Sequence, residues 1–527
     1  MDVNRAWKKT CEVILGDDVG ELGDFERYLK KNNELLYPKK SVLSGKEVTI
    51  SDEEFCPTAR FISNDEVEQF EKTTDNVRLD LNEIKDIDSI LHAFSEKFAY
   101  AGGVVLGNCK DVESSHRCID CFFVKGSHEM TNSRYAAYST LLRDCEHVFG
   151  CSFTGEAKFG IKCTQFFQSS RCFEVILTML CSDCYYTANM EGCQNCMFSF
   201  NLKKKNHCIG NLELPKDKYF KIKAGLVEQI RNEIEAKKDI MGIVELLLSG
   251  KGKPGIQIPK KLSDVVFTPS KPPQNELEKA FSETTSILFG KRLTNLADYQ
   301  DWLFRHTRKP LSCNSAKSGK LIHVTPVRAY LSWHDAALSN EEAWELGKHS
   351  ILESQIENLS ISNAKEALTE ISFSTPELIR GKNRSVEDSV NYFDSEDCYG
   401  GAGYYATKKS AYGFYIRECE NVFGCELVYY SKFCLKCYHS INLTRCFEVS
   451  DSKSSSDCYF CHNVENVHDS LFCFNTKAKR YAIGNIEIGR EAYAKIKKSV
   501  LDGIARKLEK DKRLDLDIYN GGCSSHL

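Results

Sequence analysis

The chain has 527 residues, of which 42% are hydrophobic and 27% are charged, a composition typical of a soluble protein with a sizeable core. Its 70 basic and 74 acidic side chains give a net charge of −4, which excludes a whole-chain attraction to nucleic acid or anionic membranes. The longest apolar run, residues 240–248, is too short to span a bilayer. The N-terminal residues lack the apolar stretch of an export signal, so we expect a cytoplasmic protein.

One sequence unit occurs twice in the chain. A shift of 274 residues (from Gly16 to Gly290) aligns the two halves almost without gaps. Chance does not hold one register over such a length, so the alignment predicts a tandem duplication. The clearest matches are Val148-Phe149-Gly150-Cys151 with Val422-Phe423-Gly424-Cys425, and Arg171-Cys172-Phe173-Glu174-Val175 with Arg445-Cys446-Phe447-Glu448-Val449.

Cysteine is over-represented and clustered. The chain has 25 cysteines, with dense clusters between Cys109 and Cys208 and between Cys398 and Cys473. In a reducing compartment they are expected to be thiols, metal ligands or catalytic groups rather than a disulfide framework. Within the clusters the spacing alternates between 12 and 9 residues, as in the series Cys151, Cys163, Cys172, Cys184 and Cys193.

This alternation predicts a β-solenoid in each copy. A 21-residue period, the sum of the two spacings, suits one coil of a β-helix and gives about five coils per copy. Small or apolar residues 21 apart would then stack as an inward ladder, where free cysteine packs as a small hydrophobe. The predicted structural ladder consists of Cys109, Cys118, Cys121, Cys145, Cys151, Cys163, Cys172, Cys184, Cys193, Cys208, Cys398, Cys419, Cys425, Cys437, Cys446, Cys458 and Cys461.

The predicted fold class is α+β. Apolar residues at helical spacing predict amphipathic helices near the start of each copy and a capping helix after each solenoid. The predicted domains are an N-terminal module (1–108), a solenoid (109–213), a capping helix (214–248), a linker (249–274), a second module (275–382), a second solenoid (383–487), a second capping helix (488–512) and a tail (513–527).

Two short motifs carry a family resemblance. Ser41-x-x-Ser44-Gly45-Lys46 and Ser315-x-x-Ser318-Gly319-Lys320 precede the cysteine-rich segments, which close on Ile209-Gly210-Asn211 and Ile483-Gly484-Asn485. The chain thus resembles uncharacterised cysteine-rich repeat proteins of candidate-phylum bacteria and archaea, which begin with zinc-ribbon-like modules reading C-x-x-C-G-K. The resemblance implies a degenerate ribbon module before each solenoid, and it implies no particular activity for this chain. Serine hydroxyls do not replace thiolates as zinc ligands, so the ancestral zinc site is expected to be lost in both copies.

Two groups of residues invite a chemical interpretation. Cys181, Cys184, Cys193 and Cys196 have zinc-site spacing, but their counterparts Ser455, Cys458, Val467 and Ser470 cannot bind the metal. We therefore favour a core role for the thiols and expect no cofactor. Matching acids at predicted outward positions, which fit either a carbohydrate-active enzyme or a solvated charge ladder, are Glu174 and Asp183 with Glu448 and Asp457.

The sequence favours a non-catalytic scaffold or protein-interaction protein over an enzyme. Solenoids present long regular faces, and two of them form a bivalent platform for a protein partner or for self-assembly. The alternative is a nucleic-acid- or ribosome-associated factor, which the basic stretches at residues 203–207, 216–223 and 494–500 favour and the net charge does not. No membrane partner is expected.

Overall fold

The computed structural model describes residues 2–74, 84, 86–94, 98–141, 148–150, 152–154, 159–167, 170–179, 182–250, 276–416, 419–424, 426, 428, 431–438, 441 and 443–523. The chain forms two compact units. Unit 1 comprises residues 1–35, 108–258 and 312–378, and unit 2 comprises residues 36–107, 259–311 and 379–527. Most of the predicted linker lies outside the described residues.

The fold is α+β, as predicted. Two long helices follow the cysteine-rich segments, and most other helices are short. In chain order the helices are α1 Val3–Leu15, α2 Glu26–Leu29, α3 Val67–Thr74, α4 Ile87–Phe94, α5 Lys216–Lys237, α6 Ile243–Leu247, α7 Glu276–Phe289, α8 Gln300–Leu303, α9 Arg328–Leu331, α10 Asn340–Leu346, α11 Glu353–Glu357, α12 Ala364–Ala367 and α13 Arg490–Asp511.

The strands are mostly short, and they concentrate in the two cysteine-rich segments. They are β1 Tyr37–Lys40, β2 Glu47–Ile50, β3 Phe61–Ser63, β4 Tyr100–Gly102, β5 Val105–Leu106, β6 Lys110–Glu113, β7 His116–Ile119, β8 Phe122–Lys125, β9 His128–Thr131, β10 Arg134–Ala137, β11 Ser152–Thr154, β12 Phe159–Phe167, β13 Arg171–Met179, β14 Ser182–Glu191, β15 Gln194–Phe200, β16 Asn206–Ile209, β17 Leu212–Glu213, β18 Leu311–Asn314, β19 Leu321–Val324, β20 Ile379–Arg380, β21 Arg384–Glu387, β22 Tyr392–Phe393, β23 Glu396–Tyr399, β24 Tyr404–Tyr405, β25 Phe447–Lys453, β26 Ser456–Glu465, β27 His468–Leu471, β28 Phe474–Lys477, β29 Ala482–Ile483 and β30 Ile486–Glu487.

Strands β6–β17 form the first stack and strands β20–β30 the second. Their parallel neighbours are offset by 12 residues, except β20 and β22, which are offset by 13. Cys184 pairs with Cys172 on one side and with Cys196 on the other. In the second stack Phe447 pairs with Tyr459 in the same register. The predicted 21-residue coil is therefore wrong. Among the described residues, the 12-residue cysteine spacing connects strand neighbours and the 9-residue spacing does not.

A three-residue rhythm in the backbone accompanies the 12-residue offset between parallel neighbours. Backbone φ angles are positive at every third residue over long runs, such as Asp111, Ser114, Arg117 and Asp120. Each left-handed residue bends the chain, so four bends return it to its starting side. The residue after most of these bends is inward and buried, as Cys118 and Cys121 show.

An N-terminal helix covers one side of each stack through equivalent contacts. In unit 1, Trp7 of α1 packs edge-on against Phe149 with ring centroids 5.3 Å apart, and the Tyr185 hydroxyl donates to the Ile14 carbonyl at 2.8 Å. In unit 2, Phe281 of α7 packs against Phe423 at 5.5 Å, as Trp7 packs against Phe149.

The last strands of each stack are closed by a hairpin and a helix. β16 pairs antiparallel with β17, and β29 pairs antiparallel with β30. The following helix α5 buries Tyr219, Leu226, Ile230 and Ile234, and α13 buries Tyr493, Val500, Ile504 and Leu508. A covered final edge does not offer unpaired backbone groups to other chains.

A further side of each stack is covered by a segment from the other half of the sequence. In unit 1, the Asn201 amide donates to the Phe373 carbonyl at 2.9 Å. In unit 2, the Asn475 amide donates to the Ala99 carbonyl at 2.6 Å. Each compact unit is thus assembled from both halves of the chain rather than from one.

The C-terminal tail is fixed to unit 2 by a disulfide. Cys56 and Cys523 are bonded, with their Cα atoms 6.7 Å apart. The expectation that the cysteines are not disulfide-bonded is therefore wrong for this pair. The other cysteines among the described residues are free thiols.

Candidate functional site

The predicted ladder cysteines are buried wherever the structure describes them, with two exceptions. Cys109 and Cys419 are half-buried. Cys145, Cys151 and Cys425 lie outside the described residues. Fully buried, at 0% exposure, are Cys118, Cys121, Cys163, Cys172, Cys184, Cys193, Cys208, Cys398, Cys437, Cys446, Cys458 and Cys461.

Several inward thiols donate a hydrogen bond to the backbone of their own strand. The Cys184 Sγ donates to the Ser182 carbonyl at 3.5 Å, and the Cys458 Sγ donates to the Ser456 carbonyl at 3.4 Å. Burial raises the pKa of the Cys446 thiol to about 12. A protonated, enclosed thiol is a poor nucleophile, because the thiolate is the reactive form.

The zinc candidates are arranged as core residues. Cys184 and Cys196 are neighbours in adjacent strands, and Cys193 donates to the Leu202 carbonyl at 3.3 Å. Cys181 lies outside the described residues. Within the described part of the chain, no group of three or more His, Cys, Asp or Glu side chains is arranged to hold a metal ion.

The candidate acids occupy two different environments. Asp183 and Asp457 lie near the surface, paired with Arg171 at 2.9 Å and with Arg445 at 2.7 Å. By contrast, the prediction that Glu174 faces outward to solvent is wrong, because its side chain is 0% exposed. The same correction applies to Glu448, which is also 0% exposed.

Glu174 is buried beneath segments that the sequence pattern did not place there. Its carboxylate accepts hydrogen bonds from the Tyr28 hydroxyl at 2.5 Å and from the Ile243 backbone N–H at 2.7 Å. Lys162 Nζ lies 3.5 Å from the same carboxylate. These contacts join α2, the stack and α6 through one carboxylate. Because its oxygens are already bonded within the protein, the carboxylate is not exposed to a substrate.

Glu448 is the matching residue of unit 2. Lys436 Nζ lies 3.2 Å from its carboxylate, with both side chains fully buried, and the Ile518 N–H donates to it at 3.1 Å. Burial raises the pKa of Glu448 to about 7, although the nearby lysine opposes the shift. Sequence reasoning missed this buried pair, whose only signal is that Lys162 and Glu174 recur as Lys436 and Glu448.

A second ionic cluster fixes the tail of unit 2. His306 lies between two carboxylates, with Nδ1 2.9 Å from Glu54 and Nε2 2.9 Å from Asp517. Burial alone would lower the pKa of His306, but these two hydrogen bonds raise it. The contact with His306 attaches Asp517, the residue before Ile518, to the body of the unit.

The serine motifs form two knuckles with matching hydrogen bonds. The Ser41 N–H donates to the Lys46 carbonyl at 2.9 Å, and the Ser315 N–H donates to the Lys320 carbonyl at 2.8 Å. Gly45 and Gly319 have φ angles of 74° and 78°, which glycine adopts without strain.

A glutamate accepts a hydrogen bond from the first serine of each knuckle. The Ser41 hydroxyl donates to Glu66 at 2.5 Å, and the Ser315 hydroxyl donates to Glu342 at 2.6 Å. Burial alone would raise the pKa of Glu342, but hydrogen bonds from Ser315, Ser318 and Ser339 lower it to about 2. One carboxylate and two hydroxyls do not make the nitrogen and sulfur site that zinc prefers, so these residues do not fit the metal.

No family model, curated protein or solved structure matches the chain. Among the described residues, no helix is long and apolar enough to cross a membrane.

Proposed function

We propose that the chain is a duplicated, non-catalytic interaction platform in which each unit contains one β-solenoid with 12-residue coils. The parallel 12-residue register recurs in both stacks, as do the left-handed bends at every third residue. The equivalent helix contacts described above support a duplicated architecture. Regular stacked coils provide an extended, rigid surface of the kind that repeat proteins use to bind partners.

The observation that carries this proposal is an open side on each stack. Many outward residues on the other sides are buried, as Phe173 and Ile176 are at 0% exposure, although Asp111 and Glu113 are exposed. The open side retains exposed residues at the 12-residue spacing. In the first stack these are Asn132, Arg134, Gly192, Gln194, Lys204 and Asn206, and in the second stack they are Ala406, Lys408, Ser454, Asn466, Ala478 and Arg480.

The chemistry of the candidate residues supports binding over catalysis. The inward thiols are enclosed, and Glu174 and Glu448 are covered by packed segments. General acid–base or nucleophilic catalysis requires a group within hydrogen-bonding reach of a substrate. These side chains are within reach only of their own protein.

The nucleic-acid alternative is less well supported, because lysines in the basic stretches are paired with acids. Lys205 lies 3.1 Å from Glu213, Lys218 lies 2.7 Å from Glu353, and Lys223 is 3.7 Å from Asp183. Paired lysines release few counterions on meeting a phosphate backbone. Weak retention on heparin at physiological salt is expected, and strong salt-dependent retention would favour the alternative.

Site-specific photo-cross-linking in the cells that make the protein tests the platform. A photoreactive residue replaces Ala406 or Ala478 on the open side of unit 2, or Ala494 on the exposed face of α13 as a matched control. The proposal predicts discrete cross-linked protein products from Ala406 and Ala478 but not from Ala494. Equal product patterns from all three positions, or products from none of them, would reject it.

A further inference from the structure

The first strand of the first stack lacks the closure found at the last strand. β6 is the outermost strand of the sheet ordered β10-β8-β6, and its Lys110 and Val112 pair with Phe122 and Val124 of β8. Among the described residues, no strand pairs with the other edge of β6. An edge strand of this kind is a template for an added strand.

A cleft of about 460 Å³ lies beside this edge. Val3, Leu22 and Phe123 contribute apolar surface to it. The Phe123 ring stacks on Tyr135 of the next coil, with centroids 5.2 Å apart and an interplanar angle of 9°. The floor is therefore held in place by the stack, and it offers apolar contact to a ligand along the edge.

The rim of the cleft is acidic. Asp2, Glu21, Asp111 and Glu113 line it, against a single lining lysine, Lys125. Glu21 is already paired with Lys8, and Asp2 caps α1 by accepting from the Arg5 N–H. Asp111 and Glu113 lie on β6 itself and are exposed, so their charge is presented along the open edge.

We propose that this edge binds an extended basic peptide of another protein, which adds a strand beside β6. Main-chain hydrogen bonds to the open edge would supply affinity, and alternating side chains would supply specificity. Basic side chains would meet Asp111 and Glu113, and apolar ones would enter the cleft against Phe123. This surface is distinct from the open side, so the inference stands independently of the platform proposal.

The second stack supplies a matched control. Glu387 occupies the position in β21 that Glu113 occupies in β6, and β21 is also an outer strand. Its edge carries two exposed cations, Lys382 and Arg384, whereas β6 carries one exposed cation, Lys110, beside the two acids. A basic peptide should therefore prefer β6 over β21, because opposite charges favour association and like charges oppose it.

Fluorescence anisotropy with the full chain tests the inference. The probe is a labelled synthetic peptide of about ten residues alternating valine and lysine, compared with one alternating valine and glutamate. The lysine peptide should bind at least about tenfold more tightly than the glutamate peptide. Glu113→Lys should weaken its binding about tenfold, whereas Glu387→Lys should change it less than about twofold.

A second variant and a mass measurement complete the test. Asp111→Asn removes the charge but suits the left-handed backbone there (φ 55°), so it should weaken binding while leaving the melting temperature unchanged. Equal binding of the two peptides, or equal effects of Glu113→Lys and Glu387→Lys, would overturn the inference. The inference would also be overturned if the wild-type chain is a dimer and Glu113→Lys makes it monomeric. The molecule bound at the β6 edge would then be a second copy of the chain.

Discussion

At the residue scale, an inward position accepts several small side chains for one geometric reason. An inward serine donates to the carbonyl two residues before it, as the inward thiols do. Ser199 donates to the Met197 carbonyl at 2.8 Å, and Ser470 donates to the His468 carbonyl at 2.9 Å. A ladder position therefore requires a small side chain whose polar hydrogen has a hydrogen-bond acceptor. It does not require the chemistry of sulfur.

Cys458→Ser should be tolerated for this reason. The hydroxyl can donate to the Ser456 carbonyl, which already accepts from the Cys458 thiol at 3.4 Å, so the expected loss is about 1 kcal/mol or less of unfolding free energy. Cys458→Leu should cost about 1–3 kcal/mol, because added methylenes overpack a filled interior. Denaturant unfolding measures both variants. A larger loss for serine than for leucine would contradict the geometry.

The Glu342 knuckle predicts a pH dependence of stability. Its pKa is lowered from 4.5 to about 2 in the folded protein, so its stabilising contribution is present above pH 4.5 and is lost as the pH falls towards 2. In Glu342→Gln, the melting temperature should fall less steeply as the pH is lowered, because the substituted side chain does not titrate. Glu341→Gln, one residue earlier and with the side chain 86% exposed, is the control. Parallel acid curves for wild type and Glu342→Gln would refute the assignment.

Sequence reasoning at this scale found the cysteines but not their polar surroundings. The spacing placed Cys172 and Cys446 among core residues, and both are fully buried. It placed Glu174 at an outward position but could not show that α2 and α6 cover it. Such cover depends on packing between segments distant in sequence, which local pattern does not encode.

At the element scale, the 12-residue cysteine spacing matched the distance between paired strands, whereas the predicted period of 21 residues, the sum of 12 and 9, did not. Both 12 and 9 are multiples of three, so either spacing carries a cysteine from one inward position to another. Strand pairing alone distinguishes them, as in the pairing of Cys196 with Cys208. The 21-residue period described how the cysteines recur along the sequence. It did not describe which strands are hydrogen-bonded neighbours.

Deleting whole coils tests the 12-residue register. Removal of residues 184–195 joins Asp183 to Cys196 and keeps every strand neighbour in place, so cooperative unfolding should persist at a lower melting temperature. Removal of residues 184–192 keeps the three-residue rhythm but moves the following strands to a neighbouring side of the stack. They then no longer pair with their former neighbours, so cooperative unfolding should be lost. Calorimetry and circular dichroism measure both. Better tolerance of the nine-residue deletion would contradict the register.

At the scale of the whole molecule, each compact unit draws on both halves of the chain. Unit 1 includes residues 312–378, and unit 2 includes residues 36–107. The duplication is a prediction from the sequence, and the equivalent contacts of α1 and α7 support it. The sequence did not predict the exchange of segments, because two similar copies would offer similar contact surfaces and the sequence does not say which copy supplies the partner.

Separately encoded halves test this exchange. Residues 1–250 and 276–527, produced together, should purify as a complex, because each half supplies a segment that the other half's stack requires. Each half produced alone should unfold less cooperatively or associate with itself. Two halves that remain apart, each monomeric and cooperatively folded, would show that the segments are dispensable.

The most direct test of the account is an alkylation map of the cysteines by mass spectrometry, before and after unfolding. The ladder thiols Cys172, Cys184, Cys446 and Cys458 are fully buried, whereas Cys109 and Cys419 are only half-buried. In the native protein we predict that the four buried thiols stay unmodified, that Cys109 and Cys419 react first, and that all react once the chain unfolds. Native-state modification of Cys172 or Cys446 as fast as in the unfolded chain would contradict a structural core and restore a chemical role for the thiols.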